Sequence, residues 1–421
     1  MQNGGQKVNT AHYLVFSGLI VAYLISFFFR TSASVVLPQL AKEWSMDAAL
    51  TSFVSSLYFY AYGAVQPLSG ALNDKFGPSK VVAGGLVLGS VGSVLFGMAR
   101  TPSMLAIGRL LTGLGLAPML SGALVYQSAH FDHRRYSLYS SITFFMGNLG
   151  AVASVAPLGY MLDRWGRGAS FTALGAAAFV LAALLFAGRR YDRTAAAGRG
   201  KKIDLNEIGH KIALAWKSIR RHKPLTAILI MWATFLGPML TLQGLWAIAW
   251  CDKVYPGNIG AARLWATLIG LGVMAGNILS AGIKATGRKR LAIVSAGVAA
   301  YGAVWVALVI GMHFGAPYWL TAAFAFALGA FVGLCPPLLS AIMNGLCEPG
   351  ESGSVFGIIN MATFAMIVFG QSSTGLVIKA VSGASGYTTG AFTSAMMIPA
   401  AIAVAGVLAI KYLYDGGAIS R

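Results

Sequence analysis

Long apolar runs recur along this chain and limit what it can fold into. Each is about 19 to 28 residues long, enough to cross a hydrocarbon core of about 30 Å as a helix. Lipid offers no hydrogen-bond partners, so membrane spans must be helices or a closed barrel, and these runs lack the two-residue alternation of barrel strands. The sequence therefore predicts an all-α membrane protein with twelve spans: Tyr13–Leu37, Ala48–Leu72, Lys80–Met98, Pro102–Gln127, Ser137–Leu162, Ala169–Gly188, Pro224–Trp250, Ala261–Ile283, Leu291–Met312, Tyr318–Leu346, Ser354–Ala380 and Gly390–Leu413.

The composition agrees with a membrane location. Of the 421 residues, 57% are hydrophobic and 10% are charged, and the mean hydropathy is +0.70. Water cannot be the main solvent of such a chain. The first run contains Arg30 and lacks a preceding basic segment, so we expect a retained helix and not a cleaved signal.

The net charge of +19 would suggest nucleic-acid binding in a soluble chain, but its distribution here indicates topology. With a cytoplasmic N-terminus, 22 of the 31 Lys and Arg residues fall on the inside and five on the outside. The five outside residues are Lys42, Arg100, Arg164, Arg167 and Lys253. By the positive-inside rule, both termini and the central loop should be cytoplasmic in a multi-pass protein of the inner (cell) membrane.

A basic, polar stretch over residues 189–223 divides the chain into two parts. We predict a bundle of six helices in residues 1–188 and another in residues 224–421. Within the stretch, Ile203 to Arg221 has apolar residues near helical spacing, with basic residues between them. It is either an amphipathic helix on the anionic inner leaflet or a solvated loop that only fixes orientation.

The two parts contain a repeated motif. Gly115-Leu116-Ala117-Pro118 in the fourth span recurs as Gly333-Leu334-Cys335-Pro336 in the tenth, at corresponding places in the two blocks. Two pseudo-symmetric bundles that rock about a shared site are the basis of alternating access.

The loop after the second span carries the pattern Gly70-x-x-x-Asp74-Lys75-x-Gly77-x-x-Lys80. It resembles the loop signature of the major facilitator superfamily, with Lys75 where Arg is commoner, and Arg109-x-x-x-Gly113-x-Gly115 is similar to a second signature. The resemblance implies a twelve-helix transporter fold, in which these loop residues take part in gating. It also implies that Asp74 contacts the start of the eleventh span, near Gly353, in one state. It identifies an architecture and not a substrate.

Arg30 and Arg109 are the candidate substrate-binding cations. Each lies about 10 to 12 Å from the outer end of its predicted helix, at 1.5 Å per residue. Charge is costly inside a membrane, and no Asp or Glu lies deep in any predicted span, so the counter-charge could be the substrate. Alternatively, Arg30 extends to the outer headgroups and Arg109 is structural or gating. Arg263 and Lys379 lie nearer the outer ends, where we expect interfacial anchoring.

Polar and aromatic residues at helical spacing are the other candidates for a binding site. They provide hydroxyl, amide and indole groups on stripes that should avoid lipid. The large tyrosines of the second span favour a cavity lining over helix packing, whereas for the residues of the seventh and eleventh spans a role in packing is an equally good interpretation. The candidates are Tyr58, Tyr62 and Gln66 in the second span, Gln243 and Trp246 in the seventh, and Asn360 and Gln371 in the eleventh.

These patterns predict a secondary transporter that moves a small organic anion or zwitterion by exchange, uniport or proton symport. The alternative is efflux of hydrophobic compounds through an aromatic cavity, and a receptor that binds solute without flux is a further one. We find no nucleotide loop, metal-ligand cluster or nucleophile with a partnered base, so we expect no enzymatic activity and no cofactor. The expected partners of a monomer are the substrate, membrane lipids and a coupling proton or counter-substrate, but no nucleic acid.

Overall fold

The structure is a computed structural model that describes residues 10–131, 136–192, 205–347, 352–382 and 387–414. Within these ranges the chain is helical and contains no strand. The N-terminal part contains α1 Thr10–Thr31, α2 Ala33–Glu43, α3 Ala48–Phe76, α4 Pro78–Gly97, α5 Pro102–Leu116, α6 Met119–His130, α7 Tyr136–Ala153 and α8 Ala156–Gly188. The linker helix is α9 Leu205–Arg221. The C-terminal part contains α10 Lys223–Thr241, α11 Ala247–Val254, α12 Ile259–Gly282, α13 Gly287–His313, α14 Tyr318–Leu346, α15 Ser352–Ser382, α16 Thr389–Ala405 and α17 Ile410–Tyr414.

Ten helical segments of the described chain are long and apolar enough to cross a membrane. They include Thr10–Glu43, which joins α1 and α2, and Lys223–Val254, which joins α10 and α11. The predicted second and fifth spans correspond to α3 and α7, which are helical but outside these ten because α3 is more polar and the apolar part of α7 is shorter. The count of twelve spans stays a prediction.

Several spans predicted as continuous are broken. The first breaks at Ser32, the fourth at Pro118 and the fifth at Val155. Inside α8, Gly166 has a φ of +74°, a turn that separates the predicted fifth and sixth spans. Proline explains the break at Pro118, because it has no N–H and its ring clashes with the preceding turn.

A π-helical turn over Leu242–Trp246 interrupts the predicted seventh span between α10 and α11. It follows Pro238, which lies in the last turn of α10. Such wide turns occur mostly as single bulges within helices and are frequent at functional sites.

Small residues bring neighbouring helices into backbone contact. A Cβ added to Gly272 or Gly276 of α12 would meet the backbone of α14, and one added to Gly329 or Gly333 of α14 would meet the backbone of α12. Gly113 of α5 makes the corresponding approach to α3 at Tyr58. Close packing of this kind is what holds helices together in lipid.

The N-terminal and C-terminal parts meet along several helices. The longest contact is between α3 and α15, and α2 packs against the π turn and α11. On another side, α12 packs against α7 and α8. The linker helix α9, which confirms a helix in the basic stretch, packs on α10 and α15 through Ala215 and Ile219, whereas Ile203 lies outside the described residues.

Candidate functional site

Arg30 near the end of α1 is buried among aromatic rings. Its Cζ lies 4.1 Å from the ring centre of Phe27, 5.1 Å from that of Tyr62 and 5.7 Å from that of Phe364. Phe27 and Tyr62 come from the N-terminal part and Phe364 from the C-terminal part. The side chain is only 8% exposed, so the alternative that Arg30 extends to the outer headgroups is wrong.

The guanidinium of Arg30 has spare hydrogen-bonding capacity. Its Nε is buried without a partner, and no carboxylate of the described chain forms an ion pair with it. Aromatic faces attract a cation electrostatically, but they accept none of its in-plane N–H groups. A carboxylate or a sulfonate could accept hydrogen bonds from two of these N–H groups at once.

Arg109 lies close by but uses its donors differently. Its Nη1 donates to the carbonyl of Phe29 at 2.7 Å and its Nη2 to the carbonyl of Ser55 at 3.1 Å. Its Cζ lies 4.7 Å from the ring of Tyr58, which stacks on Tyr62. Arg109 therefore braces α1 and α3 against α5, which favours its structural interpretation in this conformation.

Tyr58 and Tyr62 form the column of rings between the two arginines. Their ring centres are 5.7 Å apart, and the Tyr58 hydroxyl donates to the carbonyl of Ser26 at 3.0 Å. Both side chains are buried. The structure thus brings together four of the predicted site residues, Arg30, Tyr58, Tyr62 and Arg109, at one depth.

Gly244 in the π turn is the point where both parts of the chain approach Arg30. A Cβ at this position would lie 3.2 Å from Nε2 of Gln371, 3.7 Å from Cζ of Phe59 and 4.0 Å from the carbonyl oxygen of Arg30. A larger residue here would therefore press against the side chain of Gln371. The predicted residue Gln371 is therefore a neighbour of Arg30.

Two buried amide atoms here have no partner. Nε2 of Gln371 donates to the carbonyl of Leu240 at 3.4 Å, but its Oε1 is unpaired, as is Nε2 of Gln243. Buried polar atoms are rarely left in this state. Trp246 is fully committed, because its Nε1 donates to Thr374 at 2.9 Å, and it forms part of the packed wall.

Gln66 and Asn360 lie one helical turn from the Arg30 site. Gln66 follows Tyr62 on α3 and donates to the carbonyl of Ala117 at 3.3 Å. Asn360 precedes Phe364 on α15 and is half-buried. Both lie toward the end of the bundle that carries the loop signature, which we call the loop end.

The loop signature forms the predicted tight reversal. Gly77 has a φ of +85° and lies between α3 and α4, and Gly70 precedes it on α3. Asp74 and Lys80 are exposed, and the ammonium of Lys75 lies 5.0 Å from the ring of Phe76.

No described hydrogen bond or ion pair joins Asp74 to the start of α15, so that gating contact stays a prediction. Asp192, for which the sequence contained no signal, accepts a hydrogen bond with its carboxylate at 2.8 Å from the backbone N–H of Ser79 at the start of α4.

At the opposite end, three ion pairs between described residues join the N-terminal and C-terminal parts. We call this set the latch and its end the latch end. Asp163 accepts two hydrogen bonds from Arg263, Asp47 lies 2.9 Å from Lys379, and Asp252 lies 3.9 Å from Lys42. Arg263 is buried in its ion pair and is therefore not an interfacial anchor, whereas Lys379 is half exposed, so anchoring by that residue stays a prediction.

Asp47 is also the N-cap of α3. Its carboxylate accepts a hydrogen bond from the backbone N–H of Leu50 at 2.7 Å. This bond, and next the ammonium of Lys379, hold the pKa of Asp47 below its ordinary value of 3.8.

A cavity of 510 Å³ lies at the latch end, between the two parts and not around Arg30. Its walls come from α2, the start of α3, α11, the start of α12 and the end of α15. Its charged lining residues are Lys42, Asp47, Asp252, Lys253, Arg263 and Lys379.

The family is established by comparison with known proteins. The sequence profile of the Major Facilitator Superfamily matches residues 19–370. This chain therefore belongs to the major facilitator superfamily and is a multi-pass membrane protein of the secondary-transporter class. Its fold agrees: a bacterial homologue of the human lysosomal transporter Spinster, described in an inward-facing and occupied conformation, superposes with a TM-score of 0.74 at 15% identity, over 98% of each chain.

Two relatives are similar over shorter stretches. The "Probable sulfoacetate transporter SauU" of Cupriavidus necator is 31% identical over 110 residues, 26% of this chain and 25% of that protein. Monocarboxylate transporter 11 of Mus musculus is 33% identical over 155 residues, 36% of this chain and 34% of that protein. The chain thus matches between a quarter and about a third of the length of these relatives.

Proposed function

We propose that this transporter carries a small organic anion and that Arg30 receives its acidic group. The observation that carries the proposal is the guanidinium of Arg30, which is 8% exposed, surrounded by three rings and without a carboxylate partner in the described chain. An unpaired charge at this depth is costly. A bound carboxylate or sulfonate would offset that cost.

The names of the two relatives support this substrate class. Sulfoacetate and monocarboxylates are both organic anions. Since the similarity covers only part of each relative, the substrate of this chain is inferred chiefly from its own residues. Further polar and aromatic contacts to the solute would come from Tyr62, Gln243, Gln371 and Asn360. A zwitterion could bind in the same way, with its acidic group on the guanidinium of Arg30.

Transport would occur by alternating access between two six-helix bundles, residues 1–188 and 224–421, connected by the cytoplasmic linker 189–223. The latch closes one end of the bundle, so the solute would reach Arg30 from the loop end. The loop end and both termini would be cytoplasmic, which the positive-inside distribution of Lys and Arg supports. The proposal also includes twelve spans and a monomer in the inner membrane. Transport would occur by exchange, uniport or proton symport.

The decisive experiment compares Arg30→Gln with wild-type protein in binding and in vesicle uptake. Lactate, sulfoacetate and D-glucarate serve as probes at pH 6 and pH 7.5. We expect about a ten- to hundredfold loss of affinity, since hydrogen bonds to a charged group are strong. Arg100→Gln, which removes an exposed arginine at the latch end, is the control and should behave as wild type.

Unchanged affinity in Arg30→Gln would reject Arg30 as the anion receptor. Tighter binding of lipophilic cations than of any acid would instead favour efflux of hydrophobic compounds. Binding that is retained in vesicles without flux would indicate a receptor.

A further inference from the structure

The cavity at the latch end has the size of a small-molecule site. Its 510 Å³ lies within the range of about 300 to 1,000 Å³ that ligand pockets occupy. It is separate from the Arg30 site, because its lining comes from the ends of the helices and not from their middle. Both parts of the chain contribute to it.

Cations outnumber carboxylates by one at this cavity. Four cationic side chains line it with two carboxylates, and a third carboxylate, Asp163, is the partner of Arg263. Lys253 is exposed and forms no ion pair with a described carboxylate.

The lysines of the cavity can accept a further anionic partner. The ammonium of Lys42 lies 3.9 Å from Asp252, beyond hydrogen-bond distance, and its side chain is 76% exposed. Lys379 contacts Asp47 at 2.9 Å but is 54% exposed. The apolar residues Val35, Ile248 and Ile378 also line the cavity, which suits a ligand with a carbon skeleton.

We infer that this cavity is a second, weaker binding site for a small organic anion, a vestibule that lies on the latch. A carboxylate or sulfonate bound between Lys253, Lys42 and Lys379 competes with Asp252 and Asp47 for the same ammonium groups. Its binding therefore weakens two of the three ion pairs that close this end. The inference rests on the proposed function for its ligand class, but the site is physically distinct from Arg30.

The test uses full-length protein and radiolabelled sulfoacetate in equilibrium binding at low salt. In the Arg30→Gln background, only the vestibule remains. We expect weak residual binding that decreases with added salt and that Lys253→Gln weakens about two- to fivefold, the effect of one exposed charge pair. Arg100→Gln, the control at the same end but outside the cavity, should leave it unchanged.

A second measurement keeps the wild-type Arg30. In vesicle uptake from the latch end, Lys253→Gln should raise the KM for sulfoacetate about two- to fivefold with kcat unchanged, and Arg100→Gln should change neither. This arm does not depend on the folding of the Arg30 variant.

The outcomes separate the two proposals. Absence of residual binding in Arg30→Gln, or equal effects of Lys253→Gln and Arg100→Gln, overturns the vestibule and leaves the proposed function intact. Binding that survives Arg30→Gln at full affinity but falls with Lys253→Gln supports the vestibule and rejects Arg30 as the central receptor.

Discussion

Arg30 and Arg109 are chemically identical residues in neighbouring positions with different surroundings. The sequence could place both inside the membrane because the apolar runs around them are clear. It could not distinguish them, since the acceptors of Arg109 are backbone carbonyls of Phe29 and Ser55, on other helices. Backbone acceptors carry no residue-type signal, so only the fold reveals that Arg109 directs two of its donors to carbonyls of other helices, while the Nε of each arginine is buried without a partner.

Asp47 allows a prediction about pH at the residue scale. Its pKa is lowered in the folded protein, so its stabilising contacts are present above its ordinary pKa of 3.8 and are lost as the pH falls through the lowered value. Between pH 5 and pH 8 the carboxylate stays ionised. We therefore expect the ratio of uptake rates of wild type and Asp47→Asn to be constant over this range.

The measurement is initial uptake of a transported acid at half-unit pH intervals. A ratio that changes with a midpoint between pH 5 and pH 8 would contradict this and make Asp47 a candidate for proton coupling. Arg100→Gln at the same end of the bundle is a charge-changing control without a titrating carboxylate.

At the scale of elements, the sequence predicted where the long apolar helices lie but not every point at which they bend. Pro118 gave a signal for the break between α5 and α6, whereas the π turn at Leu242–Trp246 lies in a run that looks uniformly helical. A wide turn is stabilised by contacts to other helices, here through Gly244 against Gln371 and Phe59. Such contacts between distant segments leave no periodicity in a single sequence.

Gly375 provides a prediction for the contact between α15 and α3. A Cβ there would meet the side chain of Ser52 and lie 2.7 Å from the carbonyl oxygen of Ala48, both in the other part of the chain. Gly375→Ala should therefore destabilise the closed latch end by about 1–3 kcal/mol, the usual cost of overpacking. Gly357→Ala on the same helix is the matched control, since its Cβ would meet nothing within 4 Å.

The fraction of open molecules can be followed with Val35→Cys in a background without Cys251, Cys335 and Cys347. Val35 is 2% exposed and lines the cavity, so an impermeant maleimide should react with a cysteine there faster when the latch end opens. Equal reaction rates in the Gly375 and Gly357 variants would mean that this close approach does not limit opening.

For the molecule as a whole, the apolar runs predicted a helical membrane protein, and the loop signature Gly70 to Lys80 indicated the family. The latch could not be predicted, because its partners are separated by 100 residues or more in the sequence, as for Asp163 and Arg263. A signal was nevertheless present: acidic residues are scarce, and Asp47, Asp163 and Asp252 all fall near predicted outer ends. These three carboxylates could have been matched with the cations near the same ends, which are Lys42, Arg263 and Lys379.

The three ion pairs should contribute unequally to closure. Arg263 is 8% exposed and would lose its counter-charge in Asp163→Asn, whereas Lys379 and Asp47 are about half exposed. We expect Asp163→Asn to shift the equilibrium toward the open latch end by about 1–3 kcal/mol, or roughly 5- to 150-fold. Lys379→Gln should shift it by only about 0.2–1 kcal/mol.

The Val35→Cys reporter measures both shifts on one scale. A larger shift for Lys379→Gln than for Asp163→Asn would mean that exposure does not rank these pairs. Raising the ionic strength should reduce the difference between wild type and Lys379→Gln more than the difference between wild type and Asp163→Asn, because exposed charges are screened more strongly.

Each of the two surfaces that meet at the latch carries both signs of charge. The N-terminal part presents one cation and two carboxylates, and the C-terminal part presents the complementary one carboxylate and two cations. Because each surface carries both signs, a rotation that moved each group to a neighbouring partner would bring like charges together, which is unfavourable. The charge pattern therefore favours one relative orientation of the two parts of the chain. Its main effect is on this orientation and not on the free energy of closure.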